Sequence, residues 1–176
     1  MHLTYRTDYS IRVLLYLALY PDRLVTTKEI SDVYGISKNH LVRVVLHLNK
    51  CNFIENHPGR TGGIKLARPA DSFTIGEVVR LTEPDFHLVE CFNEVDNTCP
   101  IISVCGLKGV LRKANSAFLG VLDNYTLADV LKGSPQKLKS FLQIGTLAPE
   151  RPPSAAKKRQ SAKIEENSPG NSATRI

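Results

Sequence analysis

The stretch TTKEISDVYGISKNHLVRVVLHL, residues 26–48, carries the pattern that decides the fold. Thr26 and Glu29 have the spacing of a capping box at the start of a short helix, and Gly35 ends that helix. Ser37 is placed to cap the next helix, whose apolar residues follow at i, i+3, i+4 and i+7 spacing: Leu41, Val44, Val45 and Leu48. A helix, a glycine-containing turn and a second helix predict a helix-turn-helix motif.

The outward face of the second of these helices carries side chains suited to reading DNA. Arginine forks onto guanine, asparagine onto adenine, and serine, lysine and the helix amino terminus reach phosphates. A solvated helix face is the competing interpretation when this segment is taken alone. We expect contacts to DNA from Lys28, Ser37, Lys38, Asn39, His40 and Arg43, and the same face continues with His47 and Lys50.

A β-hairpin is predicted directly after this helix. The strand-like runs Phe53–His57 and Ile64–Ala67 are joined by a loop of turn residues, 58–63, with Arg60 at its tip. An arginine on a glycine-rich tip suits the minor groove, where the negative potential of DNA is strongest. The predicted fold is therefore mostly α with a small β-hairpin wing, a winged helix-turn-helix, and the hairpin tips the interpretation of the preceding helix towards DNA binding.

Helices are also predicted on both sides of this unit. Residues 4–20 form a first helix, capped by Thr4 or Thr7 and apolar on most faces, so we expect it to be largely buried. Thr74 and Glu77 repeat the capping-box spacing before a helix that ends near residue 83. From Gly106 onward an apolar stripe persists for more than four turns, which predicts a dimerisation helix packed on a second subunit: Leu107, Val110, Leu111, Ala114, Ala117, Phe118, Val121 and Leu122.

These patterns divide the chain into four parts. Residues 1–83 form the winged helix-turn-helix DNA-binding domain, and residues 84–106, where periodicity is lost, form a loop that we expect to be functional. Residues 107–147 hold the dimerisation helix, a short capped helix near residue 126 and one or two weak helical turns. Residues 148–176 have few large apolar side chains and are predicted to be a disordered basic tail.

Three cysteines lie in the loop as Cys91-x7-Cys99-x5-Cys105. Structural zinc sites favour ligands two to four residues apart, and the sequence has no CxxC pair, so zinc is disfavoured. The longer spacings suit an iron-sulfur cluster, whose irons need ligands from several directions. Three thiolates leave one coordination position open, for which the candidates are Asp8, His87, Glu90, Asp96, Cys51 or a small molecule; for Cys51, apolar packing is the better interpretation.

Composition sets the remaining limits on function. The net charge of +6 suggests an acidic partner only weakly, because residues 148–176 hold six Lys or Arg and three Glu and so supply half of it. The longest apolar run, Val13–Tyr20, is far shorter than the ~20 residues that span a bilayer, and the amino terminus lacks a signal-peptide pattern, so we expect a cytoplasmic protein without a membrane segment. No P-loop, GxSxG or HExxH motif is present, which argues against an enzyme.

Five motifs together give the chain a family resemblance, from Met1 to about Leu131. They are residues 3–9, the turn 35–37, the wing loop 59–63, residues 74–79 and the cysteine spacing. The chain resembles the nitric-oxide-sensing repressors among the iron-sulfur winged-helix regulators, a superfamily that includes IscR. IscR-like members place a histidine just after the third cysteine, where this chain has Leu107 and Lys108.

The resemblance implies a homodimeric repressor of double-stranded operator DNA, with nitric oxide as its signal. It implies one cluster per subunit on Cys91, Cys99 and Cys105, with Asp8 of the other subunit as an oxygen ligand, and it favours [4Fe-4S] over [2Fe-2S]. The alternative is a winged-helix regulator that uses the same cysteines as a thiol redox switch or a zinc site.

Overall fold

The computed structural model describes residues 2–93 and 95–145, and within them the fold is helical with one β-hairpin, as predicted. The predicted tail, residues 148–176, lies outside the described residues. No helix in the described part of the chain is long and apolar enough to cross a membrane. The elements in order are α1 Tyr5–Leu19, α2 Thr27–Tyr34, α3 Lys38–Lys50, β1 Ile54–His57, β2 Gly63–Leu66, α4 Ile75–Thr82, a short 3-10 turn Glu90–Phe92, α5 Gly106–Asp123, α6 Leu127–Leu131 and α7 Pro135–Gly145.

The helix-turn-helix is formed by α2, a tight turn and α3. The Thr26 hydroxyl accepts a hydrogen bond from the Glu29 amide at 3.1 Å, which starts α2. Gly35 ends α2 in the left-handed region with φ 62°, where a side chain would be strained. The Ser31 hydroxyl donates to the Ile36 carbonyl at 2.6 Å and fixes the turn. Ser37 occupies the cap position of α3, but its side chain makes no capping hydrogen bond.

Both capping boxes expected in this region are wrong in their second half. The Glu29 carboxylate does not return to Thr26; it accepts from Arg23 at 2.5 Å and from the Tyr16 hydroxyl at 2.7 Å. Glu77 likewise turns away from Thr74 and accepts a hydrogen bond from Arg68, which precedes α4. A long carboxylate side chain is taken up by a tertiary partner in each case, whereas the short threonine keeps its local hydrogen bond.

The first helix lies at the centre of the core, as its apolar composition predicted. Helix α1 packs against α3, α4 and α6. Behind it the rings of Phe53 and Phe73 meet edge to face with centroids 5.2 Å apart. Side chains from every element of the predicted DNA-binding domain are fully buried here, and they form one contiguous cluster: Val13, Leu14, Ile30, Leu41, Leu48, Phe53, Ile54, Ile64, Phe73, Val78 and Val79.

The wing is a two-stranded antiparallel hairpin, as predicted. Its register pairs Ile54 with Leu66 and His57 with Gly63. Val25, in the segment before α2, adds a short bridge to Ile64 through hydrogen bonds of 3.0 and 2.8 Å. The wing is therefore attached to the helix-turn-helix from two sides, by chain continuity after α3 and by this bridge.

Helix α5 is attached to the rest of the subunit at its carboxyl end. Arg80 of α4 forms two hydrogen bonds to the Asp123 carboxylate, and the Ile75 amide donates to the Tyr125 carbonyl at 2.8 Å. No residue of α5 is fully buried, and Leu107 and Val110 near its amino end are each 61% exposed. Most of the apolar stripe is therefore not covered by the described part of its own subunit.

The carboxyl-terminal segment is more regular than the sequence suggested. Where one or two weak turns were expected, α7 is an eleven-residue helix packed on α2. Lys139 lies over the Tyr20 ring at 5.0 Å, and Leu142 packs against the core. These contacts from distant parts of the chain stabilise a helix whose length of eleven residues is marginal in isolation.

Candidate metal centre and nucleic-acid interface

The cysteine segment runs from the end of α4 to the start of α5. Its first residues are tied to the amino terminus, because Glu83 accepts hydrogen bonds from the Thr4 amide at 2.7 Å and the Thr4 hydroxyl at 3.2 Å. Cys91 lies in the 3-10 turn, and Cys105 occupies the cap position of α5. The three loop cysteines are free and half-buried.

The donor chemistry of this segment fits an iron-sulfur cluster. Thiolates are the soft ligands that such clusters use, and nothing bridges these thiols to one another. The thiols are not gathered, however: the described residues contain no group of three or more His, Cys, Asp or Glu side chains within metal-binding reach of each other. Binding a cluster would therefore require the loop to close around it.

Asp8, the oxygen ligand implied by the resemblance, is held by an arginine in this structure. It lies in the first turn of α1, and Arg12 forms hydrogen bonds to its two carboxylate oxygens at 3.0 and 2.7 Å. The Arg12 guanidinium also lies over the rings of Tyr9 at 5.8 Å and Tyr34 at 6.0 Å. The Asp8 side chain remains 40% exposed, so it is accessible to a second subunit.

The other candidates for the fourth ligand have different surroundings. Glu90 accepts hydrogen bonds from the Thr98 backbone amide and hydroxyl, at 2.5 and 2.7 Å, and Asp96 accepts one from the Asn93 side-chain amide at 3.0 Å. Cys51 packs against the hydrophobic core, and burial raises the pKa of its thiol. A protonated, core-facing thiol is a poor metal ligand, which agrees with the packing interpretation of this cysteine.

The predicted DNA-contact residues are all exposed, and they lie on α2, on α3 and on the wing loop. Ser37, Lys38 and Asn39 are exposed at the amino end of α3, and Arg60 is exposed on the wing loop. Lys28 is exposed on the first turn of α2 and pairs with Asp32 at 2.6 Å. The start of the helix and the wing tip are the positions from which a winged helix reaches the two grooves of DNA.

His40 and Arg43 lie on the flank of α3 that faces α1. The His40 ring stacks on Tyr9 with centroids 6.4 Å apart, and Arg43 lines a groove between the two helices. His47, expected on the outward face, instead places its Nε2 2.8 Å from the Leu81 carbonyl and links α3 to α4. The groove also includes Tyr5 and Arg6. The sequence carried no signal for these two residues beyond their position at the start of a helix.

Comparisons with known proteins agree with these features. Residues 3–133 match the family model Rrf2, described as an iron-dependent transcriptional regulator. The chain is similar to the HTH-type transcriptional regulator NsrR of Bacillus licheniformis, 52% identical over 132 residues that cover 74% of this chain and 92% of that protein. The protein of the same name from Bacillus subtilis is 49% identical over 140 residues, 79% of this chain and 96% of that one.

A solved structure supports the fold. The structure titled T. potens IscR matches with a TM-score of 0.62 at 24% identity, and the match covers 76% of this chain and 88% of that chain. At this level of identity the likeness concerns architecture alone, and it confirms the winged-helix arrangement.

Proposed function

The chain belongs to the Rrf2 family of iron-dependent transcriptional regulators, and from this premise we propose that it is a homodimeric repressor that senses nitric oxide through an iron-sulfur cluster. The family is one of DNA-binding regulators and not of enzymes. One observation carries the proposal: three free, half-buried thiols lie between the helix-turn-helix unit and α5, in a chain about half identical to proteins named NsrR. We place the protein in the cytoplasm, where thiols stay reduced.

The proposed division of labour follows the chain. Residues 1–83 bind DNA, residues 84–106 hold the cluster, and residues 107–147 carry the dimerisation helix; residues 148–176 are an appended basic tail. The exposed stripe of α5 supports the dimer, because Leu107 and Val110 have no covering surface in the described part of their own subunit. A two-fold dimer also presents two α3 helices to two half-sites.

The proposed ligands are Cys91, Cys99 and Cys105 of one subunit and Asp8 of the other, and we favour a [4Fe-4S] cluster. When bound, the cluster supplies iron that reacts with nitric oxide. Asp8 bound to the partner's site would tie α1 of one subunit to the loop of the other. When Asp8 is released, Arg12 is positioned to hold it, because both carboxylate oxygens already lie within hydrogen-bond distance of the guanidinium.

The proposed DNA contacts are Lys28, Ser37, Lys38, Asn39, His40, Arg43 and Arg60. Release of Asp8 would free α1 to move relative to the partner, and the two α3 helices would then lose their operator spacing. A hundredfold loss of affinity needs about 2.7 kcal/mol between the two states, which a few displaced phosphate contacts supply.

The test is operator binding by anaerobically purified protein during a nitric oxide titration, with a duplex selected by that protein from a random pool. We expect the affinity for the duplex, measured by gel retardation, to fall about a hundredfold as the cluster absorption is lost. Unchanged retardation after the absorption has collapsed would rule out nitric oxide control. A colourless anaerobic protein with full DNA binding would instead support a thiol switch or a zinc site.

The ligand set is tested with matched serine variants. Cys91→Ser should abolish the iron-sulfur absorption and the iron content, because one of three thiolates is lost. Cys51→Ser is the control, since this cysteine packs against the core, and it should keep both signals. Equal iron loss in the two variants would contradict the proposed ligands.

A further inference from the structure

A groove of about 530 Å³ lies between α1 and α3, and it combines positive charge with exposed apolar side chains. Arg6, Arg43 and Lys50 give it a strong positive charge, and no carboxylate is among its lining residues in the described part of the chain. Tyr5 and Leu46 add apolar surface and are 78% and 57% exposed. Arginine and tyrosine around an exposed apolar centre are enriched where proteins bind one another.

The charges of the groove are not neutralised within the subunit. Among the described residues, Arg6, Arg43 and Lys50 take part in no ion pair. By contrast, Arg12 of α1 and Arg23 after it each have a carboxylate partner. The positive charge of this surface is therefore available to an acidic partner.

The cysteine segment has the complementary character. The sequence between Glu83 and Cys105 contains acidic residues and no lysine or arginine. In the described structure Glu90 and Asp96 accept hydrogen bonds only from neutral neighbours in the loop. Val95 between them is 89% exposed, which leaves an apolar side chain in water beside two carboxylates.

We propose that the groove between α1 and α3 of one subunit receives the acidic segment around Glu90, Val95 and Asp96 of a second copy of this chain. The inference rests on the homodimer of the proposed function and adds to it a contact surface on α3. A second copy is the proposed occupant because the carboxylates of this segment complement the unpaired cations of the groove, and no residue of the segment lines the groove of its own subunit. Carboxylates would meet Arg6 and Lys50, and Val95 would cover Leu46 and Tyr5.

DNA is the competing occupant of a basic groove, and the apolar surface argues against it. Protein–DNA interfaces are more polar than protein–protein interfaces, whereas Tyr5, Val44 and Leu46 contribute to this lining. Lys50 and Leu46 also lie on the carboxyl-terminal half of α3, away from Ser37 and Lys38 at its start. DNA contacts at the start of α3 and a protein contact at its end are therefore compatible, with the proposed DNA contacts His40 and Arg43 where the two surfaces meet.

The docking would connect the cysteine segment of one subunit to the DNA-reading helix of the other. Arg43, a proposed DNA contact, lines the same groove one turn before Leu46 and His47. Release of the acidic segment from the groove would then remove a contact to α3 itself, in addition to any effect of Asp8 on α1.

Zero-length cross-linking tests the contact, because a carbodiimide joins a lysine only to a carboxylate that touches it. Full-length chains in ¹⁴N and ¹⁵N form are mixed, allowed to exchange subunits under anaerobic conditions without DNA, cross-linked and digested. We expect mixed-isotope peptides that join Lys50 to Glu90 or Asp96. Lys50→Arg keeps the charge, and it should remove these peptides while leaving the dimer intact by sedimentation.

Two results would overturn the proposal. Mixed-isotope peptides that join the segment to Lys38 or Lys65 but not to Lys50 would place it elsewhere, even if the dimer of the proposed function is present. A monomer in sedimentation would remove the homodimer and this contact together. The two failures are distinguishable because sedimentation measures the dimer independently of the cross-link.

A charge exchange supplies a second measurement. The pair Arg6→Glu and Lys50→Glu should weaken the dimer about tenfold, as should the pair Glu90→Lys and Asp96→Lys, and combining all four should restore affinity to within about threefold. A groove that serves DNA would behave differently: Arg6→Glu with Lys50→Glu would leave the dimer unchanged and weaken binding to a random duplex. Failure of the four-fold variant to recover would overturn the docking.

Discussion

The helix-turn-helix unit and helix α5 show the same apolar periodicity with opposite outcomes. In the first, Ile30, Leu41 and Leu48 are fully buried by neighbouring elements of the same chain. In the second, an eighteen-residue helix with an equally regular stripe has no fully buried residue. Periodicity therefore establishes that a helix face needs a partner, but the partner can lie within the subunit or outside it.

The largest test of this contrast compares a core ring with a side chain on the stripe. Phe53→Ala should lower the free energy of unfolding by about 3–5 kcal/mol, because it removes a fully buried ring that meets Phe73. Val110→Ala, at a position 61% exposed, should change the unfolding of the monomer by less than about 0.5 kcal/mol. Urea denaturation at low protein concentration, followed by circular dichroism, measures both.

The control for this pair is the dimer. Val110→Ala should weaken dimerisation in sedimentation experiments, while the same substitution leaves the monomer folded. A large loss of monomer stability from Val110→Ala would mean that α5 is packed within its own subunit, which would remove the distinction between the two regions.

Two glycines offer a smaller test of opposite sign. Gly35 ends α2 with φ 62°, so Gly35→Ala should lower the free energy of unfolding by about 1–2 kcal/mol. Gly109 lies within α5 with no atom in the way of a Cβ, so Gly109→Ala should raise it by about 0.5–1 kcal/mol. Thermal unfolding of the two variants beside the wild type gives the comparison, and equal signs would show that α5 does not behave as an ordinary exposed helix.

The smallest effect is a pH dependence inside the helix-turn-helix unit. Arg23 beside Glu29 holds the pKa of this carboxyl below its usual 4.5, and the Tyr16 hydroxyl assists. A carboxyl whose pKa is lower in the folded state contributes stability above its unfolded pKa and loses it as pH falls through the folded pKa. Glu29→Gln should therefore cost about 1 kcal/mol at neutral pH and nothing in strong acid.

The measurement is the difference in unfolding free energy between Glu29→Gln and the wild type at several pH values between neutral and strongly acidic. The difference should shrink as pH falls below about 4.5. A difference that is independent of pH would show that the Arg23–Glu29 pair contributes through packing and not through its charge.

Much of the fold could be predicted because its signals are local. Thr26, Thr74 and Thr4 each accept a hydrogen bond from the amide three residues later, and the wing forms around its turn residues. The family was also within reach of the sequence, since the wing loop and the cysteine spacing are motifs of fixed length. The three cysteine ligands were named from the same spacing and Asp8 from the family resemblance, and their assembly stays a prediction.

What failed involves side chains that can reach several partners. Glu29, Glu77 and His47 each bind a partner that their own helix does not supply: Arg23, Arg68 and the Leu81 carbonyl. The groove that contains Arg6 and Tyr5 was missed for a related reason, since it exists only where α1 lies beside α3. No spacing within one helix reports which distant side chain will be nearest.

The sequence by itself determined where the hairpin and the helices α1 to α6 lie, and it placed three thiols between a predicted DNA-reading unit and an apolar helix. These features depend on backbone hydrogen bonds and on periodicity, which act over one or two turns. Only the tertiary structure decided that α1 would be enclosed and the α5 stripe left exposed, and that His47 of α3 would reach the Leu81 carbonyl of α4. Burial and tertiary side-chain pairing depend on which segments meet in space. The described part of one subunit covers α1 but leaves most of the α5 stripe exposed.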